Sequence, residues 1–268
     1  MIQYILKNKS TRLFIILGGI FIANAMIAEV IGVKIFSLED SIGVQRANIN
    51  LFGSSFSFHL TAGVLLWPVV FIMTDIINEY YGVRGVKFLS YLAMSLIAFS
   101  FLIYNAAIWL APSEYFSIGN GITDANSAFR GIFGQGLWII MGSITAFWIG
   151  QLLDVFVFHR IKRITGEKNI WLRATGSTIV SQLVDSFVVI FIAFYVGKRI
   201  QTGQGDPWSL HQVLVTGTGN YIYKFIVAIL LTPVIYLVHN LIESYLGHGI
   251  ATEMKKTAMG AGSEETPS

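Results

Sequence analysis

Six ionisable side chains stand where apolar runs should exclude them: Glu29, Asp75, Glu79, Asp154, Asp185 and Lys224. Each lies within, or at the end of, a stretch long enough to cross a bilayer. A charge at mid-bilayer costs roughly 3 kcal/mol on insertion scales. Several together cost on the order of 10 kcal/mol unless they pair or meet water. A shared polar interior is the natural solution.

The spacing of neighbouring polar residues points the same way. A helix brings positions i, i+3, i+4 and i+7 onto one face. Thr178, Ser181, Gln182 and Asp185 fit that pattern. So do Trp67, Phe71, Thr74, Asp75 and Asn78, with Glu79 beside them. Further stripes run through Phe147, Gln151, Asp154 and Phe158, and through Thr216, Asn220, Tyr223 and Lys224. Carboxylates accept donor pairs, carboxamides read a second edge, and aromatic rings stack on planar solutes at about 1–3 kcal/mol per base. These parts suit a planar, hydrogen-bonding solute without selecting one.

The elements that carry these residues are set by composition. The chain has 268 residues, 54% hydrophobic, 14% aromatic and 12% charged. Soluble domains carry about 25% charged residues, so a soluble globular fold is excluded. A span needs about 20 apolar residues. Six are expected: Leu13–Phe36, Leu60–Tyr81, Val86–Ala111, Gln135–His159, Arg173–Gly197 and His211–His239. The third has no polar stripe, only the isolated Ser95 and Asn105, and is expected to be peripheral. The fold class is an all-α membrane protein, a six-helix bundle.

Charge placement gives a direction. With the N-terminus inside, Lys7, Lys9, Arg12, Arg84, Lys87, Arg160, Lys162, Arg163, Lys168, Arg173, Lys255 and Lys256 are cytoplasmic. Lys34, Arg46, Arg130, Lys198 and Arg199 fall outside, and Lys224 within a span. Cytoplasmic loops collect Lys and Arg, so both termini are expected inside. The net charge of +3 needs no nucleic-acid partner. The rival for the N-terminus is a signal peptide ending near Ala23-Asn24-Ala25, but the apolar run continues to Phe36. Residues 1–250 read as one transmembrane domain, and 251–268 as a disordered cytoplasmic tail. The outer connections Ser37–His59 and Pro112–Gly134 are long, with turns expected at Asn48-Ile49-Asn50 and Gly53-Ser54-Ser55.

At about 1.5 Å per residue, Asp185 lies about 18 Å beyond Arg173, near the midplane. Lys224 is at a similar depth, so an Asp185–Lys224 ion pair is expected, with Asp154 as the alternative partner. Gln151-Leu152-Leu153-Asp154 and Gln182-Leu183-Val184-Asp185 repeat one short pattern on consecutive helices. Pocket lining and plain interhelical bonding explain it equally well. Arg160 and Arg173 read most simply as topology anchors, and His159 as interfacial. Pro68 and Pro233 fall within spans and free backbone carbonyls, as kinks or as helix breaks near a site. The five histidines show no zinc-ligand spacing and the chain holds no cysteine. No metal or other cofactor is expected.

One run carries a resemblance. Leu66-Trp67-Pro68-Val69-Val70-Phe71-Ile72-Met73-Thr74-Asp75-Ile76-Ile77-Asn78-Glu79-Tyr80-Tyr81-Gly82 resembles the P-x-x-F-x-x-x-D-x-x-N-E-x-x-G signature of the queuosine precursor transporter family. That family is also called the vitamin uptake transporter family. Gln151 through His159, and Trp171-Leu172-Arg173 through Ser186 to Phe194, resemble its fourth-span and fifth-span motifs. The resemblance implies a small bacterial inner-membrane protein with about six helices. It implies uptake of 7-cyano-7-deazaguanine or a related base used in tRNA modification. It carries over the polar positions Asp75, Asn78, Glu79, Gln151, Asp154, Arg173, Gln182 and Asp185. With the striped neighbours Trp67, Phe71, Ser181, Asn220 and Lys224, these form the candidate substrate site.

Partners are then the deazaguanine and the lipid bilayer, with a second copy of the chain or an energy-coupling subunit left open. No nucleotide-binding P-loop is present, so this chain alone cannot use ATP. It reads as a self-sufficient carrier or as the capture subunit of an energy-coupling complex. An intramembrane enzyme is disfavoured, because no H-E-x-x-H motif or nucleophile elbow accompanies the aspartates.

Overall fold

A computed structural model of the chain describes residues 7–45, 49–51, 54–56, 59–117, 119, 122–134, 137–166, 170–200 and 206–261. Helix α1 spans Lys9–Ile31 and opens on Asn8, whose side chain accepts from the Thr11 backbone N–H. It stops five residues before the expected Phe36. There the chain turns extended as β1, Ile35–Ser37, followed by the short helix α2, Leu38–Ile42. Strands β2, Ile49–Leu51, and β3, Ser54–Phe56, pair antiparallel. Strand β4, His59–Thr61, returns to pair with β1, Phe36 facing Leu60. The connection between α1 and α3 therefore holds two small antiparallel ribbons. Ile49, Asn50, Ser54 and Ser55 lie in strands and not in turns; Asn48 and Gly53 lie outside the described residues.

A turn of 3-10 helix, Ala62–Leu65, leads into α3, Trp67–Trp109. At 43 residues, α3 would measure about 65 Å if straight. It is not straight, because Gly82 breaks it with φ 68° and ψ −172°. That conformation is essentially restricted to glycine. Contacts with α1 give the limb directions. Just ahead of the first limb, Gly63 lies against the Ala28 carbonyl, while at that limb's end the Tyr81 hydroxyl donates to Ser10 O at 2.7 Å. In the second, Gly85 approaches Phe14 and Leu89 covers Gly18. The first limb thus runs antiparallel to α1 and the second parallel to it, so the two limbs form a hairpin.

Helix α4, Ala125–Phe133, sits in the long connection after α3. Its cap is Asp124, which accepts from the Ser127 hydroxyl and backbone N–H at 2.6 and 2.9 Å. Those bonds hold the Asp124 carboxyl below its ordinary range. Helices α5, Leu137–Thr165, and α6, Ile170–Ile190, form the most extensive pairing in the bundle. The expected start of the fourth span, Gln135, lies outside the described residues. Helix α6 continues through a π-helical stretch, Phe191–Gly197, into the one-turn α7, Lys198–Ile200.

Helix α8, Leu210–Leu230, carries a reciprocal cap between Ser209 and Gln212. The expected sixth span does not run unbroken to His239. It stops at Leu231, and α9, Thr232–Leu246, begins with Pro233 in its first turn, where the missing N–H costs least. The tail expected to be disordered from Ala251 is helical as α10, His248–Ala261. The reason is packing. Ala251, Lys255 and Ala258 share one face and are buried, Ala258 lies against Gly82, and Lys255 pairs with Glu243. Residues 262–268 lie outside the described residues.

Five stretches are long and apolar enough to cross a membrane: Lys9–Ile31, Trp67–Trp109, Ala125–Thr165, which takes α4 and α5 together across two residues outside the described ones, Leu172–Ile200 and Leu210–Leu230. The molecule is an all-α, multi-spanning bundle. Its core joins α1, the α3 hairpin, α5 and α9 through Phe21, Ile76, Ile77, Phe147, Phe158 and Ile242.

Candidate functional site

A narrow, partly open cavity lies between the first limb of α3, α6, α8 and the start of α9. One wall is Trp67, Phe71 and Asp75, and another is Thr175, Thr178 and Gln182. Tyr223, Lys224 and Val227 face them, and Leu231 and Ile235 complete the lining. The sequence places these groups one turn apart, which aims them at a common space. Trp67 is held by ring contacts to Phe71 at 6.3 Å and Phe147 at 5.5 Å.

Two polar atoms on cavity-lining residues lack a partner. Asp75 Oδ1 and Gln182 Nε2 are buried and make no hydrogen bond. Asp75 is 1% exposed and Gln182 3%. Leaving such a group unpaired costs about 1–3 kcal/mol, so natural cores rarely do it. One is an acceptor and the other a donor, and a planar solute with an N–H edge and a carbonyl edge supplies the complements. Lys224 ion-pairs with Asp185 at the cavity edge, as the sequence suggested, though the pair is only partly buried.

Below the cavity lies a second cluster of different character. Glu79 Oε1 accepts from Arg173 Nη2 at 2.7 Å, and Glu79 Oε2 is 3.0 Å from Lys162 Nζ. Arg173 also donates to Gly166 O at 2.9 Å. Both cations lie over the Phe158 ring at 5.9 Å. Asn78 Oδ1 is 2.7 Å from His159 Nε2, and Tyr80 bonds His239 Nδ1 at 3.1 Å. Three elements, α3, α5 and α6, are tied here by buried charge.

The predicted site residues therefore separate into groups. Trp67, Phe71, Asp75, Gln182 and Lys224 line the cavity. Asn78, Glu79 and Arg173 belong to the charged cluster beneath it. Gln151 Oε1 accepts from Thr74 at 3.2 Å, behind the α3 wall. Asp154 is fully buried and Ser181 donates to it at 3.3 Å. Asp185 reaches the cavity through Lys224, and Asn220 is half-buried outside the lining. Phe147 supports Trp67, and Phe158 lies under the two cations. Glu29 accepts from Ser143 of α5, outside both clusters.

Three readings need correction. Arg173 is not a surface topology anchor, because it is 0% exposed and bound to Glu79. His159 is 8% exposed and held by Asn78, not interfacial. Lys162 was read only as a cytoplasmic charge but is 1% exposed. A signal for it existed. The stripe Gln151, Asp154, Phe158 continues one turn further to Lys162, which the adjacent Arg160 and Arg163 disguise. Thr175 and Ser177 were also missed as site groups, being ordinary small polar residues on a membrane helix.

Fold and hydropathy together define a polytopic helical membrane protein with a cavity between its helices. The model of the family described as putative vitamin uptake transporter matches residues 61–238. The chain is 31% identical over 202 residues to the probable queuosine precursor transporter of Bacillus subtilis, covering 74% of this chain and 80% of that protein. It is 30% identical over 190 residues to the probable queuosine precursor transporter of Haemophilus influenzae, covering 70% and 72%. The Escherichia coli queuosine precursor transporter is 30% identical over 142 residues, covering 53% and 58%. No solved structure matches. The chain belongs to the vitamin uptake transporter family, the queuosine precursor transporters. Members of this family are transporters and not enzymes.

Proposed function

We propose that this chain imports a queuosine precursor, 7-cyano-7-deazaguanine or a related deazaguanine base, across the bacterial inner membrane. It crosses six times, with both termini cytoplasmic. The α3 hairpin supports the count, since a bilayer core is about 30 Å thick and each limb turns back at Gly82. The Lys and Arg distribution supports the direction. The substrate lies in the cavity between α3, α6 and α8, stacked on Trp67 and Phe71.

The observation that carries this reading is the unpartnered pair on the cavity wall, Asp75 Oδ1 and Gln182 Nε2. Asp75 accepts the ring N–H and exocyclic amine of the base, and Gln182 donates to its carbonyl. Lys224, held by Asp185, borders the same space. Asn78, Glu79, Gln151, Asp154, Arg173, Ser181 and Asn220 support these walls from outside.

The test is uptake of labelled 7-cyano-7-deazaguanine by cells lacking their own transporter. Asp75→Asn and Gln182→Ala are expected to lower uptake at least tenfold at equal membrane expression. Full uptake by both variants contradicts the site. The purified chain alone in liposomes separates a carrier, which accumulates base inside, from a capture subunit of an energy-coupling complex, which binds base without moving it.

A further inference from the structure

One turn of α3, residues 79–82, is gripped from several sides. Cations of α5 and α6 hold Glu79. The Tyr81 hydroxyl donates to Ser10 O of α1 at 2.7 Å. The other two residues of the turn meet the C-terminal helices. Tyr80 bonds His239 of α9 at 3.1 Å, and Lys255 of α10 stands over its ring at 5.5 Å. Gly82 lies against α10: a Cβ built there would stand 3.1 Å from the Ala258 carbonyl oxygen and 3.3 Å from the Ala258 Cα. Gly82 is also where α3 breaks, so α10 packs on the joint between the two limbs.

Helix α10 differs from the helices around it. The family model ends at residue 238, before α10 begins. At 14 residues it is about 21 Å long, too short for a bilayer core of about 30 Å. Its buried face offers Ala251 and Ala258, with Lys255 between them paired to Glu243. Small side chains bury little apolar area, and the ion pair keeps 11% and 26% side-chain exposure, which makes it weak. Segments held this way open at low local cost. The turn into α10 is Gly247, with φ 87°, a pivot free of side-chain constraint. Helix α9 joins this region to the cavity. Ile235 lines the cavity, His239 holds Tyr80, and Glu243 holds Lys255. Four-residue steps put all three on one helix face.

We propose that α10 is a strap over the α3 joint. Docked, it holds the first limb in place, and with it the cavity wall of Trp67, Phe71 and Asp75. Undocked, it frees that limb to turn at Gly82 and opens the cavity toward the side that carries α10. A solute that spreads the wall at Ile235 displaces Glu243 on the same face of α9, which loosens Lys255 and ties opening to occupancy. Hinge closures absorb their change at a few backbone positions of this kind. The link to uptake rests on the function proposed above; the strap itself does not.

Two measurements test it in a chain with no native cysteine. In the first, Thr178→Cys places a thiol in the cavity lining. A membrane-impermeant methanethiosulfonate is added to sealed vesicles from one side at a time. Adding Ala258→Leu, which prises α10 off Gly82, is expected to speed labelling at least fivefold from the α10 side and less than twofold from the other. Acceleration from both sides, from the other side alone or from neither overturns the strap. In the second, Glu243→Cys with Lys255→Cys is bridged by a short dimaleimide, which fixes α10 in its docked place. Uptake of labelled 7-cyano-7-deazaguanine is expected to fall at least tenfold on bridging. Unchanged uptake after complete bridging overturns the strap. If Ala258→Leu does not accumulate in the membrane, the bridged variant decides. If wild type neither binds nor moves the base, the proposed function fails, and the labelling rates still decide the strap.

Discussion

The cavity wall and the charged cluster beneath it draw on the same residue types and use them in opposite ways. Around Glu79, two cations meet one carboxylate at 2.7 and 3.0 Å, with side chains no more than 1% exposed. The charges of that cluster pair with one another, although the neighbouring Asn78 Nδ2 makes no hydrogen bond. One turn away, Asp75 Oδ1 and Gln182 Nε2 are as deeply buried yet unpartnered. The difference separates charge paired between helices from polar atoms left unpaired on cavity-lining residues. Burial alone does not make that distinction; what decides it is whether the partners are already in the protein.

The largest effect is expected in the charged cluster. Glu79→Gln leaves Lys162 and Arg173 facing one another without an anion, and breaking a buried pair costs about 3–5 kcal/mol. The purified variant should melt far below wild type, or fail to accumulate in the membrane. Normal melting would show that the cluster is not a structural tie. Asp75→Asn should act oppositely, with folding kept and base affinity lowered by about 1.5–3 kcal/mol, read by calorimetric titration. If Asp75→Asn unfolds the protein instead, the contrast between the two regions collapses.

Next is the hinge between the limbs. Gly82→Ala forces a side chain into a φ of 68° and against Ala258, at about 1–3 kcal/mol. A lower melting temperature and faster proteolysis of α10 are expected. The smallest effect belongs to Lys224 and Asp185, which are 17% and 19% exposed. As a partly exposed pair its worth falls toward the surface value, about 0–1 kcal/mol. A double-mutant cycle with Lys224→Met and Asp185→Asn should give a coupling in melting within that range. A much larger coupling would move this pair into the structural class.

Much of this was legible in the sequence. The apolar runs gave a multi-spanning helical bundle, though not the break of the expected sixth span at Leu231, because backbone groups in lipid must be satisfied within helices. The stripe from Trp67 to Asn78 gave the α3 wall, because helical spacing survives folding unchanged. The residue types did not reveal which stripe members face the cavity. Asn78 and Asp75 share a face, yet one meets His159 and the other the open space. That outcome depends on how α5 and α6 cross α3, which is a tertiary property. The α10 helix was also hidden, since its few small buried residues look like a solvated tail until Gly82 offers them a surface. The break before Pro233 was signalled but not placed.

The central claim is that the base sits between α3, α6 and α8, and the absence of native cysteine allows a direct test of it. A single cysteine at Thr178, a cavity-lining residue, is to be alkylated with and without saturating 7-cyano-7-deazaguanine, beside a Ser113→Cys control in the exposed loop after α3. Slowing of at least tenfold at position 178, with none at position 113, is the expected result. Equal rates at position 178 with and without bound base would contradict it.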